Sequence, residues 1–119
     1  WTGQKLLETG YEIDHCFPWS RWFNNDLWNL MPASKKSNSQ KSEKLPSAGL
    51  MHASRERIQN WWQVAYAEEQ LLERFQMEAE AALPLVHEGK MTLDHIFDAM
   101  LYQRTRLRID QQLEEWQPF

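Results

Sequence analysis

The sequence predicts an α+β chain, two short strands and a short helix followed by a long helical hairpin. Three observations carry that prediction. Tyr11 and Ile13 alternate with polar residues up to the region of Cys16, as in a half-buried strand. Pro18 and Pro32 punctuate the first third of the chain. From Ala53 onward, apolar side chains recur at three- and four-residue steps, the mark of amphipathic helices. A chain of 119 residues suits one domain or a catalytic lobe with a helical appendage, and is too short for a doubly wound sheet or a full barrel.

The elements follow in order. The first strand runs through Tyr11 and Ile13 and is ended by Pro18, which has no N–H for a ladder. Arg21–Asp26 reads as a loop, and Leu27–Met31 as a second short strand stopped by Pro32. Ser34 is placed to cap a helix from Lys35 to about Lys44. Pro46, Ser47 and Gly49 read as a linker. A long helix then spans from near Ser54 to near Leu83, carrying Ile58, Trp61, Trp62, Ala65, Leu72, Phe75 and Ala79, and Pro84 stops it. Thr92 is the next cap, with Met91 and Ile96 as a hydrophobic staple. Phe97, Met100, Leu101, Ile109, Leu113 and Trp116 continue an apolar stripe to the C-terminus. The division is therefore residues 1–50, strand–strand–helix with a lead-in and linker, and residues 51–119, a two-helix antiparallel region for support or partner docking.

Composition narrows the function classes. No apolar run reaches the ~20 residues of a membrane-spanning helix. The start, Trp1-Thr2-Gly3, has neither an initiator Met nor an apolar signal, so the chain reads as a piece of a larger protein with a cytoplasmic location. One cysteine, Cys16, excludes an intrachain disulfide and any multi-cysteine zinc site, and it reads as a small buried hydrophobe. The net charge of −4 speaks against a nucleic-acid partner until its distribution is considered. Residues 1–47 carry +1 and residues 48–119 carry −5, and Ala33–Leu45 hold four lysines against one acid.

The lysines adjoin the residues best suited to chemistry. Asp14 and His15 end the first strand, Asn29 lies on the second, and Asn38 and Lys41 share a face of the short helix. Strand neighbours point to opposite faces, so a twisted strand end is needed before Asp14 and His15 serve one site. Oxygen donors from Asp14 and Asn38 suit Mg²⁺ or Mn²⁺ completed by waters and phosphate oxygens. An imidazole such as that of His15 can take a proton from water near neutral pH. Lys41, with Lys35 or Lys36, can hold flanking phosphates.

The string YEIDHCFPWS, followed by NNDLWNLMPASKKSNSQKSEKLPS, resembles the HNH endonucleases over Tyr11–Ser47. The ordered Asp-His pair, Pro-x-Ser step, Asn-Leu and Asn-x-x-Lys carry the resemblance, nearest in arrangement to the HNH module of RNA-guided CRISPR nucleases. It implies a ββα-metal finger (His-Me finger) that hydrolyses DNA phosphodiesters by a one-metal mechanism, leaving 5′-phosphate and 3′-hydroxyl ends. By the same resemblance, His15 is the general base and Asn29 restrains the base and the loop between the strands. Asp14 and Asn38 are the metal ligands. Lys41 serves the catalytic set near the backbone, and Lys35, Lys36, Lys41 and Lys44 form the nucleic-acid-binding set. Asn38 stands where many relatives have His, which favours Mg²⁺ or Mn²⁺ over Zn²⁺ or Ni²⁺.

Double-stranded DNA is favoured over single strands or RNA as the implied partner. A protein partner or an upstream domain supplies specificity, in a restriction, CRISPR or other phage-defence setting. The alternative is a noncatalytic nucleic-acid-binding or assembly module. A finger this small needs outside support, and Trp22, Trp28, Trp61 and Trp62 are candidates for a core shared with the helices.

Overall fold

A computed structural model describes residues 1, 3, 11–19, 22–83 and 92–118. Within them the chain is a mixed α/β fold. Strand β1, Tyr11–His15, pairs antiparallel with β2, Leu30–Ser34, in a register that sets Asp14 against Met31 and His15 against Leu30. A 3₁₀ turn, Leu27–Asn29, leads into β2. Helix α1, Lys35–Lys41, follows directly, so strand, strand and helix occur in the predicted order. Ser34 caps α1 as its sequence position suggests, its Oγ accepting from the Ser37 N–H at 3.1 Å.

The second strand lies later than the sequence predicts and runs through Pro32 instead of stopping there. The hydrogen-bond parity explains why. Cys16 N–H donates to the Asn29 carbonyl at 2.8 Å, and alternate pairs of an antiparallel ladder carry the bonds. Ile13 and Pro32 therefore face each other at a non-bonded pair, where the missing N–H of proline points away from β1. Among the described residues the sheet has two strands, and none of them needs the donor on that side. Helix α1 also stops earlier than its predicted end near Lys44, because Ser42 adopts φ 48°.

The expected linker at residues 46–49 is structured. Leu45–Pro46, β3, pairs in parallel with Glu115–Trp116, β4, close to the C-terminus. Ser47 then caps helix α2, Ala48–Ala65, with its Oγ accepting from Leu50 N–H at 3.0 Å. The helix thus begins well before Ser54, which is buried along its length.

The long helix expected from near Ser54 to near Leu83, and with it the two-helix hairpin, is corrected by the structure. The chain breaks at Tyr66–Glu68, and a separate helix α3 spans Glu69–Ala82. No glycine or proline marks the break; tertiary contacts make it. The Tyr66 hydroxyl donates to the Leu27 carbonyl at 2.9 Å, and its ring packs on Phe75 with centroids 5.5 Å apart. Turning at this point lets α3 cover the 3₁₀ turn, where Glu78 Oε1 accepts from Leu27 N–H at 3.0 Å.

Leu83 ends α3 as expected, whereas the Met91 half of the proposed staple lies outside the described residues. Thr92 caps α4, Leu93–Gln111, by accepting from His95 N–H. The apolar stripe does not continue on one helix to the C-terminus. Gln112 takes a left-handed conformation, Ile109 is exposed, and Leu113 and Trp116 reach the core from beyond the helix. Helix α4 packs on α2, and Arg55 joins them by reaching Asp94 and Asp98, each at 3.0 Å, over the Phe97 ring.

One core runs through both halves. Trp28 and Trp62 are fully enclosed with Phe17, Phe75, Phe97 and Met100, and Trp22 and Trp61 pack against that cluster. The strands are thus supported by the helices, in keeping with the little core a strand–strand–helix unit has alone. No described helix is long and apolar enough to cross a membrane.

Candidate active site

Two periodicities meet at the end of β1. Glu12 and Asp14 share one face of the strand, while Asn38 and Lys41 share one face of α1. Asn38 Nδ2 donates to Glu12 Oε1 at 3.3 Å, and Lys41 Nζ lies 3.3 Å from Asp14 Oδ1. The helix is therefore fixed to the strand by two matched pairs. Asp14, His15 and Asn38 line one open cleft of about 320 Å³, together with Ile13, Pro18, Trp19, Ser42 and Glu43.

Asp14 is 5% exposed and fully engaged, since Oδ2 accepts from the Trp1 indole Nε1–H at 2.9 Å and Oδ1 receives Lys41. Each carboxylate oxygen still has a lone pair beyond those bonds. Asn38 spends its amide N–H on Glu12, leaving its carbonyl Oδ1 without a hydrogen bond among the described residues. Two hard oxygen donors at one cleft fit a divalent cation of the Mg²⁺ or Mn²⁺ type that keeps most of its waters. Among the described residues no group of three or more His, Cys, Asp or Glu side chains is placed to hold a metal, so the donor set differs from that of a closed zinc site.

His15 Nε2 lies 2.7 Å from Asn25 Oδ1, a carbonyl oxygen that accepts a hydrogen bond. With the ring N–H on Nε2, Nδ1 is the nitrogen that would act as an acceptor or base. Asn25→Ala frees the ring and, because Asn25 is exposed, is expected to leave the melting temperature unchanged, which thermal unfolding checks.

No hydrogen bond joins the Asn29 side chain to His15 among the described residues. Asn29 is completely buried, and its side chain ties the loop together: Oδ1 accepts from Phe17 N–H at 2.8 Å, while Nδ2 donates to the Phe17 and Asn24 carbonyls at 3.3 and 3.0 Å. It therefore ties Phe17 to Asn24, on either side of Trp19 and next to Asn25, which is a positioning role.

Lys41 is a correction. The sequence places it at a phosphate, but its side chain is 0% exposed, and its ammonium is spent on Asp14 and on the His15 carbonyl at 2.7 Å. A cation beside a buried carboxylate lowers the cost of burying both. Lys35 and Lys36 are exposed on the first turn of α1 and do not line the cleft. Lys44 is half-buried beside a separate cleft with Gln111–Glu114.

Cys16, next to His15, is not a nucleophile. It is enclosed against Met51 Sδ at 3.8 Å, and burial, the largest influence, pushes its thiol up to about 12. Since the folded value exceeds the ordinary 9.0, the stability it contributes is whole below pH 9.0 and is lost as pH rises through about 12. The urea midpoint of the wild type is expected to fall more steeply than that of Cys16→Ala between pH 9 and 11. Equal slopes would contradict the assignment.

Asn25, Glu12 and Trp1 are contributors that sequence reasoning missed. Glu12 carried a signal, its period-two relation to Asp14. Asn25 carried none, because it reaches His15 only through the loop that Asn29 folds.

Residues 2–47 match the family model described as HNH endonuclease. Comparison with curated proteins and with solved structures gives no significant match.

Proposed function

Starting from the match of residues 2–47 to the HNH endonuclease family model, we propose that this chain is a metal-dependent endonuclease that hydrolyses phosphodiester bonds of DNA, double-stranded DNA foremost. The observation that carries the reading is the cleft where Asp14, His15 and Asn38 come together, with His15 Nδ1 making no hydrogen bond among the described residues. Nδ1 takes a proton from water, the resulting hydroxide attacks phosphorus, and the bond from phosphorus to the 3′ oxygen breaks, the departing oxygen taking a proton from solvent to give the 3′ hydroxyl. Bound by Asp14 and Asn38, one Mg²⁺ or Mn²⁺ ion would neutralise charge on the phosphate and the leaving oxygen.

Asn25 holds the imidazole ring, Asn29 holds the loop, and Lys41 holds Asp14 in place. Lys35, Lys36 and Lys44 add cationic charge around the bound strand, and with so few lysines binding is modest and salt-dependent. The acidic helical half leaves sequence recognition to a larger protein or complex.

Supercoiled plasmid, short single strands and RNA incubated separately with Mg²⁺, Mn²⁺ and Zn²⁺ test the reading. Nicking or linearisation in Mg²⁺ or Mn²⁺ that EDTA stops is the expected outcome. DNA binding with no cleavage in any metal would instead identify a noncatalytic module.

A further inference from the structure

The loop between β1 and β2 sorts its aromatic residues into two groups. Phe17, Trp22 and Trp28 pack on one another at 5.5 to 5.9 Å between centroids and belong to the core or its margin. Trp19 and Phe23 turn the other way, 47% and 75% exposed. Their rings lie against each other, with centroids 5.2 Å apart and planes inclined by 50°. Trp19 also meets the His15 ring at 5.8 Å and lines the cleft that holds Asp14, His15 and Asn38.

A single exposed apolar residue needs no explanation. Two adjoining rings beside a general base are a different matter, because whatever occupies the cleft also passes over them. If a phosphate is presented to His15, the nearest chemistry is that of its own nucleotides. Stacked nucleotides advance about 3.4 Å along a strand, so Trp19 lies within about two steps of that phosphate. A nucleobase has the flat π-face that aromatic side chains stack on, irrespective of sequence. Within continuous duplex both faces of each base are covered by its neighbours, and a protein ring gains access only where a base leaves the stack.

We propose that Trp19 and Phe23 form a platform that stacks an unpaired nucleobase flanking the scissile phosphate, so that DNA with an unpaired base at that position is preferred to uninterrupted duplex. The position of the phosphate rests on the nuclease reading above; the stacking itself needs no catalysis.

Binding is therefore measured in EDTA, where nothing is cut, by anisotropy of short labelled DNAs: continuous duplex, the same duplex with one unpaired base, and the latter with an abasic residue there. The wild-type chain is expected to bind the unpaired-base duplex about ten-fold tighter than the continuous one. Phe23→Ala, at a site too exposed to disturb the fold, removes that advantage, and Phe23→Tyr restores it. The abasic duplex loses the same factor, and Phe23→Ala adds no further loss on it. Equal affinity of the wild type for the two duplexes, or absence of binding to either, overturns the proposal. So does a Phe23→Ala loss equal on both, which would assign the rings to another partner. Binding as expected without cleavage in Mg²⁺ or Mn²⁺ would remove the nuclease reading and leave the platform standing.

Discussion

Replacing His15 by alanine is expected to lower the rate of DNA cleavage by about 10²–10⁴-fold, the usual contribution of a positioned general base. The loss should fall on kcat. His15 is only partly buried, and its ring bonds the exposed Asn25 rather than the core, so the variant should keep its melting temperature. Binding of uncut DNA should also be nearly unchanged, because the counterion-releasing charge is assigned to the lysines and not to His15. A small amine such as imidazole, added to the variant, should recover part of the rate by entering the vacated space. Cleavage at the wild-type rate by His15→Ala would remove the assigned base.

Lys41→Met is expected to cost about 3–5 kcal/mol of stability, because it leaves the carboxylate of Asp14 buried without its cation. For a chain of this size that corresponds to a fall of about 10–20 °C in melting temperature. Asp14→Asn combined with Lys41→Met should recover most of the loss, since the remaining amide carries no charge to be compensated. A lysine that served a phosphate would behave differently. Its removal would leave stability alone and reduce the dependence of DNA binding on salt by about one counterion. Thermal unfolding of the single and double variants, beside a salt titration, separates these outcomes.

Much of the site could be read from the sequence because its parts are local. Asp14 and His15 are adjacent, and Asn38 lies one helical turn from Lys41, so spacing alone places them on the right elements. Ser34 and Thr92 act as helix caps where sequence rules put them. What was not legible depends on contacts distant in sequence. Tyr66 ends α2 by reaching Leu27, a bond across 39 positions that no periodicity announces. Leu45–Pro46 looks like a linker until Glu115–Trp116 folds back beside it. Pro32 reads as a strand stop, because the parity that exempts it depends on the register of its partner. Lys41 shows the same limit in the site itself. Its place on α1 was legible, but whether its ammonium faces solvent or a buried acid is decided by how the helix packs on β1.

Asp14 and Asn38 are expected to bind a divalent ion jointly at the cleft that His15 serves. Titration of Mn²⁺ into the chain with a short uncleavable DNA, followed by electron paramagnetic resonance, measures this directly. One ion per chain is predicted, bound about ten-fold more weakly or worse in Asn38→Ala and equally well in His15→Ala. No stoichiometric ion, or an affinity indifferent to Asn38→Ala, would contradict it.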